Sequence, residues 1–245
     1  MKIFIGETYE LMCSSALEKI LEITALHKHP LLCTASGDTP AGLYKQLVSG
    51  VHQNKIDVSN WLYISLDEWM GMNGNDEGSC RFHLNNQLFI PLKVKDEQIS
   101  FFDGKAKDPI NECEKVENFI SKNGGIDIAI VGIGMNGHVG MNEPGTQQQL
   151  RSHVTEIHSE TQKIGQKYFK EKQHLTQGIT LGLANILEAR NIILLASGHH
   201  KAEIIKQVLE GEITDKFPAS ILRNHTALHI FLDKEAASLL QLENI

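Results

Sequence analysis

The sequence is poor in the residues that hold small secreted or metal-binding proteins together. It has four cysteines in 245 residues, and no two of them form a Cys-x-x-Cys pair. In a chain of this length, scattered cysteines favour reduced thiols and a cytoplasmic location over a disulfide framework. The N-terminal stretch MKIFIGETYE turns polar after a few apolar positions, so we expect no signal peptide.

Other absences exclude whole classes of function. No apolar run approaches the roughly 20 residues that cross a bilayer, so we expect no membrane segment. The formal net charge is −7 and no block of Lys and Arg stands out, which argues against nucleic acid as a partner. There is no His-Glu-x-x-His motif and no Gly-x-Ser-x-Gly elbow, and the histidine pairs lack companion ligands at the usual spacings. We therefore predict a site without a metal or a cofactor.

The hydrophobic pattern predicts an α/β fold with a mostly parallel sheet. Candidate strands lie near residue 2 and at 31–34, 61–66, 99–102, 126–132, 191–197 and 227–232. Candidate amphipathic helices lie at 8–27, 40–50, 108–122, 199–210 and 234–241. This alternation is typical of crossover units with helices on both faces of the sheet. Because the chain shows no internal repeat and no Pro/Gly-rich linker, we predict a single domain over residues 1–245.

Residues 138–190 interrupt the alternation of strands and helices. This stretch is polar and its pattern predicts only short elements. A long irregular insertion in a compact domain is usually functional or disordered. We predict that it forms a lid.

The loops after the candidate strands carry the residues of chemical interest. Ligands of open α/β sheets bind in the crevice beyond the carboxyl ends of the strands. Those ends are followed by ASGDTPAG, DEWMG, GIGMNGHVG and SGHHKAE, which hold Gly, hydroxyl and ionisable residues. If the strands are parallel, these loops meet at one site.

Two of these loops have the composition of a phosphate site. Ser36, Gly37 and Thr39 precede a helix, where backbone N–H groups and hydroxyls bind phosphate. An ordinary capped turn uses the same residues, and the carboxylate of Asp38 would repel an anion unless it points away. In the other loop, Lys201 in a first helical turn opposes the helix dipole. A bound phosphate would account for this lysine, and so would a nearby Glu or exposure to solvent.

A third loop offers a general base. Asp67 and Glu68 follow the strand at 61–66, and adjacent side chains point in different directions, so at most one should face the crevice. A carboxylate there can act as a base when an apolar pocket raises its pKa. The alternative is a loop carboxylate that only caps its own backbone.

The stretch GIGMNGHVGMNEPGT has the G-x-G-x-x-G spacing of a dinucleotide loop, at Gly132, Gly134 and Gly137. Such a loop continues into a helix, whereas the Pro-Gly pair near the end of this stretch would stop one. His138 and Glu143 follow instead, and a His held by a carboxylate is the usual arrangement for proton transfer near neutral pH. An isolated His would more often be structural. Together, these loops favour proton transfer next to a carbonyl of a phosphorylated substrate.

On these motifs the sequence resembles the amino-sugar-phosphate deaminases, which act on glucosamine 6-phosphate or galactosamine 6-phosphate. The resemblance spans essentially the whole chain and rests on SGDTPAGLYKQL, SLDEW, GIGMNGHVGMNEPGT, GITLGLANIL, SGHHKAEIIKQVLEG and PASILRNH. It implies a Rossmann-like, doubly wound fold. It also implies metal-free conversion of a hexosamine 6-phosphate into a ketose 6-phosphate and ammonia.

The resemblance implies roles for individual residues. His138 would open the sugar ring, Glu143 would orient it and balance its charge, and Asn136 would be a third polar partner that only hydrogen-bonds. Asp67 would move the proton from C2 to C1. The implied phosphate-binding residues are Ser36, Gly37, Thr39, Lys167 and Lys201.

Three positions bear on the choice of substrate. Lys167 stands where relatives usually have Arg, and Lys lacks the bidentate fork, so we expect weaker phosphate binding. Asp38 replaces a small residue of the phosphate loop, which could mark an altered substrate. Trp69 resembles the galactosamine branch, so we predict conversion of galactosamine 6-phosphate to tagatose 6-phosphate. The alternative is glucosamine 6-phosphate to fructose 6-phosphate.

Two rival functions share parts of this pattern. A 6-phosphogluconolactonase has a similar fold and a related G-x-G-x-D-G-H loop, but it is expected to carry Asp-Glu-Arg where this chain has Asp-Glu-Trp at 67–69. A non-catalytic sugar-phosphate sensor would use the pocket for binding only. The sequence leaves the oligomeric state open.

Overall fold

The computed structural model describes residues 1–241 and contains two sheets. The strands, numbered in chain order, are β1 (Lys2–Gly6), β2 (Leu31–Thr34), β3 (Leu62–Ser65), β4 (Asp67–Trp69), β5 (Ile99–Ser100), β6 (Ile128–Val131), β7 (His153–Glu156), β8 (Gln177–Thr180), β9 (Asn191–Ala196) and β10 (Leu228–Asp233). The larger sheet has the order β1-β10-β9-β6-β2-β3-β5, and every pair of neighbours in it is parallel. Each candidate strand of the sequence is a strand of this sheet, which confirms the predicted fold class.

The strand order creates a crevice at the centre of the larger sheet. From β2 the chain proceeds to β3 and β5 at one edge, then returns to place β6 on the other side of β2. Connections from β2 and β6 therefore leave in opposite directions, which is the topological switch point where open α/β sheets bind ligands. All residues of β2 and β6 are buried, as expected for parallel strands covered on both faces.

Helices cover both faces of this sheet. They are α1 (Tyr9–Thr24), α2 (Ala41–His52), α3 (Cys80–Leu84), α4 (Ile90–Leu92), α5 (Pro109–Lys122), α6 (Ser159–Gly165), α7 (Leu183–Leu187) and α8 (Ala202–Glu210), with a π-helical turn at Asn85–Phe89 and 3-10 turns at Asp96–Gln98, Gln166–Tyr168, His199–Lys201 and Pro218–Asn224. One apolar core lies under α1 and α2, and the other lies under α5, α7 and α8. Within residues 1–241, no helix combines the length and apolarity needed to span a bilayer.

The predicted C-terminal helix at 234–241 is wrong. Its residues form turns, in which the Asp233 carboxylate accepts from the Ala236 N–H at 2.8 Å and Leu240 N–H donates to Ala237 O at 3.0 Å. So short a segment gains too few helical hydrogen bonds to offset the cost of starting a helix. Its amphipathic pattern reflects the packing of Ala236 into the core.

The smaller sheet is antiparallel, with the order β4-β8-β7. Two of its strands lie in the predicted lid, residues 138–190, and so this region is more ordered than expected. In its last part, the side chains of Ile179 and Leu183 are completely buried in the core. Beyond the loop that carries His138, the residues of this region that line the crevice lie within 158–168, which we call the lid segment, and the predicted lid is therefore narrower.

Candidate active site

A cavity of about 910 Å³ lies at the carboxyl edge of the larger sheet, above the switch point. The loops after β2, β3, β6 and β9 meet there, as expected for parallel strands. Residues predicted from the sequence that line it are Ser36, Gly37, Thr39, Asp67, His138, Lys167 and Lys201. The other two predicted residues, Asn136 and Glu143, are bonded to each other beside His138. The fold thus brings all nine together from distant parts of the chain.

A tight turn built on glycines positions His138. The Gly134 N–H donates to His138 O at 2.9 Å, and the Gly137 N–H donates to Gly134 O at 3.0 Å. Gly137 has φ +82°, a conformation that glycine adopts without strain. A Cβ on Gly134 would lie 2.2 Å from His138 Cε1. The spacing that resembles a dinucleotide loop therefore makes room for an imidazole ring.

The imidazole of His138 lies in a polar network with a buried carboxylate. Its Nδ1 is 3.6 Å from Glu143 Oε2 and 3.2 Å from Thr161 Oγ1. Burial raises the pKa of Glu143, but contacts with His138, Thr161 and Asn136 outweigh burial and lower that pKa to about 2. Glu143 is therefore an anion at neutral pH.

Asn136 holds this network from the other side. Its Nδ2 donates to Glu143 Oε2 at 2.6 Å, and its Oδ1 accepts from the His138 backbone N–H at 3.2 Å. The Asn136 side chain thus bonds the Glu143 carboxylate and the backbone of His138, whereas the resemblance implied a third polar partner of His138 itself. We infer that Asn136 fixes the position of the carboxylate and of the turn.

The two adjacent carboxylates after β3 point in different directions, as predicted. Asp67 lines the cavity, and burial raises its pKa to about 6, although a hydrogen bond from Cys80 and the charge of His138 lower it. Glu68 is completely buried and accepts from the backbone N–H groups of Trp69, Cys80 and Arg81 at 2.9, 2.9 and 3.0 Å. Burial raises the pKa of Glu68 to about 7, although the hydrogen bonds from these three N–H groups lower it. Glu68 thus anchors the start of α3.

The loop after β2 is held by a residue that sequence reasoning missed. The hydroxyl of Tyr9 lies 3.0 Å from Asp38 O and 2.9 Å from Thr39 O, and it accepts from the Gly42 N–H at 2.8 Å. Gly37 has φ +100°, and a Cβ there would lie 3.0 Å from the hydroxyl of Tyr168. Tyr9 lies some 30 residues away in the sequence, so no local pattern could have indicated this contact.

Lys201 faces the cavity from the loop after β9. Its Nζ donates to Ile133 O at 2.6 Å, and burial together with the charge of Lys167 lowers its pKa to about 8. The carboxylate of Asp233 accepts from the Gly198 N–H at 2.9 Å and from the Ser197 hydroxyl. Asp233 was also missed, although an acidic residue at the carboxyl end of a strand is a signal that could have found it.

The features of this site are those of an α/β enzyme that uses acid–base chemistry on an anionic substrate. A carboxylate of raised pKa and an imidazole held by an anion can move protons, and Lys201 beside a glycine loop can bind phosphate. Among residues 1–241, no three His, Cys, Asp or Glu side chains come together as ligands of a metal ion.

Comparison with known proteins identifies the family. Residues 7–230 match the family described as glucosamine-6-phosphate isomerases/6-phosphogluconolactonase. The chain is 37% identical to a glucosamine-6-phosphate deaminase of Thermoanaerobacter pseudethanolicus, over 100% of this chain and 97% of the relative. It is also 37% identical to one of Clostridium botulinum, over 98% and 97% of the two chains. The chain belongs to this family of sugar-phosphate enzymes.

Solved structures separate the two branches of the family. A monomeric glucosamine-6-phosphate deaminase superposes with a TM-score of 0.94 at 34% identity, covering 98% of this chain and 100% of that one. A 6-phosphogluconolactonase from Trypanosoma brucei superposes with a TM-score of 0.74 at 21% identity, covering 98% of both chains. The second likeness shows a shared fold alone, so the deaminase branch is the nearer of these two.

Proposed function

We propose that this protein is an isomerising deaminase, which converts a hexosamine 6-phosphate and water into a ketose 6-phosphate and ammonia. One observation carries the proposal: a single cavity is lined by Asp67, by His138 with the Glu143 carboxylate beside it, and by Lys201. The reaction needs a base for a carbon acid, an acid–base group for ring opening and a cation for phosphate. The names of the relatives support the same reaction.

His138 opens the sugar ring in this proposal. Because the Nδ1 side of the imidazole contacts Thr161 and Glu143, Nε2 is the nitrogen left for the substrate. It accepts the proton of the C1 hydroxyl and delivers a proton to the ring oxygen, which gives the open-chain aldehyde. The anionic Glu143 stabilises the imidazolium that forms between these two transfers.

Asp67 then moves a proton between two carbons. It takes the proton from C2 while the aldehyde oxygen takes a proton from water, which gives an enolamine and hydroxide, and it returns its proton to C1. The hydroxide adds to the resulting protonated C2 imine, and the amino group takes the proton of the new hydroxyl and leaves as ammonia, which gives the ketose. A pKa near 6 suits this base, because the carboxylate is ionised at neutral pH and more basic than an exposed Asp.

The phosphate group binds at the other end of the cavity. We assign it to Lys201, to the loop of Ser36, Gly37 and Thr39, and to Lys167 of the lid segment. A dianion beside Lys201 favours its ammonium form, so the lowered pKa of that group rises again on binding. This reversal fits a cation whose natural partner is the substrate.

Two sugars are candidates for the substrate. The relatives named above support glucosamine 6-phosphate, which would give fructose 6-phosphate. Trp69, the residue that resembles the galactosamine branch, favours galactosamine 6-phosphate because it lines the cavity. Its ring also packs against the lid segment, where a Cβ on Gly165 would lie 3.0 Å from it. The two sugars differ only in the orientation of the C4 hydroxyl.

Ammonia release from the purified protein tests the proposal with both sugars in parallel. We expect release from one sugar or both, and its loss in Asp67→Asn, which keeps the shape of the side chain and removes the base. The same preparation is assayed for hydrolysis of 6-phosphogluconolactone. Hydrolysis of the lactone without ammonia release would show that the protein is a lactonase and not a deaminase. If the wild type and Asp67→Asn bind sugar phosphate equally and neither turns it over, the protein is a sensor.

A further inference from the structure

One contact of the His138 ring comes from the lid segment. Thr161 lies in α6, 23 residues beyond His138, and its Oγ1 is 3.2 Å from His138 Nδ1. The nearest oxygen of Glu143 is 3.6 Å from the same nitrogen, which is too long for a good hydrogen bond. The hydroxyl of Thr161 is therefore the closer partner of the imidazole.

The Glu143 carboxylate lies on the same side of the imidazole, with its Oε2 3.6 Å from His138 Nδ1. An anion beside Nδ1 favours a proton on that nitrogen. A hydroxyl has two lone pairs that accept, so Thr161 Oγ1 accepts from His138 Nδ1–H. This arrangement keeps the proton on Nδ1 and leaves the lone pair of Nε2 free.

The start of α6 is held at the same carboxylate. The backbone N–H of His158, directly before this helix, lies 3.4 Å from Glu143 Oε1. Gln162 Nε2 donates to Ile157 O at 2.7 Å. These contacts keep Thr161 in register with Glu143, so that the position of its hydroxyl follows from the fold of the lid segment.

We propose that Thr161 is a positioning residue, whose hydroxyl accepts from His138 Nδ1–H beside the Glu143 anion and so selects the imidazole tautomer that can accept a proton at Nε2. This proposal rests on the function proposed above, in which His138 opens the sugar ring. The segment that lines the substrate cavity would then also complete the acid–base group. His138 is correctly prepared only when α6 lies in its observed position.

Two substitutions separate this role from a purely structural one. Thr161→Val keeps the branched shape and removes the hydroxyl, whereas Thr161→Ser keeps the hydroxyl. We expect Thr161→Val to lower kcat at least about 10-fold with KM changed less than about threefold, since a positioned acid–base group contributes about 10²–10⁴-fold. We expect Thr161→Ser to restore most of that loss. Thr155→Val, a matched change on β7 outside the network, should behave as wild type.

A second readout does not depend on turnover. The ¹⁵N chemical shifts of the His138 ring distinguish Nδ1–H from Nε2–H, and we expect Nδ1–H in the wild-type and Thr161→Ser proteins but a mixture in Thr161→Val. Unchanged tautomer and kcat in Thr161→Val would overturn the proposal. If Thr161→Val does not fold, loss of the Nδ1–H tautomer in Thr161→Ala takes its place. If the wild-type protein releases no ammonia, the proposed function fails, and the tautomer still decides the role of Thr161.

Discussion

The Nζ of Lys167 lies 2.6 Å from Oδ2 of Asp38, which joins the lid segment to the loop after β2. The resemblance implies that both positions differ from the usual residues of the phosphate site, and here the two side chains are partners. The carboxylate of Asp38 is thus turned toward Lys167. Lys167 Nζ also lies 4.8 Å from the centre of the Tyr168 ring. The lysine therefore has an anionic partner before any phosphate arrives.

Releasing Lys167 should strengthen phosphate binding. In Asp38→Asn the amine loses its ionic partner and a bound phosphate no longer competes with a carboxylate. We expect KM for the sugar phosphate to fall about 2- to 5-fold with kcat little changed, since an exposed ion pair is worth about 0.2–1 kcal/mol. Initial rates give the KM of the wild type and of Asp38→Asn at low and at high salt. The difference between the two KM values should be smaller at high salt, because salt screens the charges. Asp57→Asn, which makes the same change of net charge at an exposed site, is the control, and an unchanged or raised KM in Asp38→Asn would contradict the prediction.

The centre of the larger sheet could be predicted from the sequence because its central strands are buried on both faces. The residues of β2 and β6 are buried without interruption, and short, nearly continuous apolar runs between helical patterns are typical of parallel strands. The convergence of the loops then follows from the parallel direction of the strands. For the same reason Asp67, His138 and Lys201 could be placed at one site from the sequence alone.

Contacts between distant segments could not be predicted in this way. In β7, residues alternate between partly buried and exposed, and β4 has only three residues, so neither stands out from a loop. Thr161 is one hydroxyl in a polar stretch and looks like its neighbours Ser159 and Thr155. Its importance comes from a partner 23 residues away, which only the packing of α6 beside His138 supplies.

The pH dependence of the reaction should report the ionisation of Asp67. A base acts when ionised, so kcat/KM should rise as the pH increases through about 6. The Cys80 thiol stabilises the charged form of this carboxylate and lowers its pKa. Cys80→Ala should therefore raise the pKa of Asp67 and move the acidic limb of the kcat/KM profile to higher pH. We expect a shift of about 0.5–1 pH unit, which corresponds to the loss of an interaction of about 1 kcal/mol.

The substrate phosphate also titrates near pH 6, and a matched control separates the two groups. The same substrate is used with both proteins, so any shift between their profiles belongs to the enzyme. Cys113→Ala removes a thiol on α5, outside the cavity lining, and should leave the limb in place. An identical acidic limb in wild type and Cys80→Ala would show that the thiol does not act on Asp67.

Phosphate binding should weaken above about pH 8, where free Lys201 loses its proton. Because a bound dianion raises the pKa of Lys201, binding at higher pH should take up protons. Calorimetry of inorganic phosphate binding at about pH 8.5 in two buffers of different ionisation enthalpy measures this uptake. Lys201→Met should abolish it and raise KM about 10- to 100-fold, as for loss of a charged hydrogen bond of about 1.5–3 kcal/mol.

Lys206→Met provides the comparison for Lys201. It removes a positive charge from α8, where Lys206 lies 3.9 Å from Glu210, and it should retain both the proton uptake and the KM of the wild type. Uptake that persists in Lys201→Met would mean that another group changes its ionisation when phosphate binds.

Gly134→Ala tests why this loop has the glycines of a dinucleotide site. The added methyl would lie 2.2 Å from the His138 ring, so the ring must move away from Thr161 and Glu143. We expect kcat to fall at least about 10-fold, and the free energy of unfolding to fall by about 1–3 kcal/mol, as for overpacking.

Gly132→Ala is the control for the folded state, because its methyl would meet no atom within 4 Å. It should leave the free energy of unfolding and the ¹⁵N shifts of His138 unchanged. If Gly132→Ala disturbs the ring as much as Gly134→Ala, the glycines shape the loop in another way. If only Gly134→Ala does so, that glycine is required because an imidazole occupies the space where a side chain would lie.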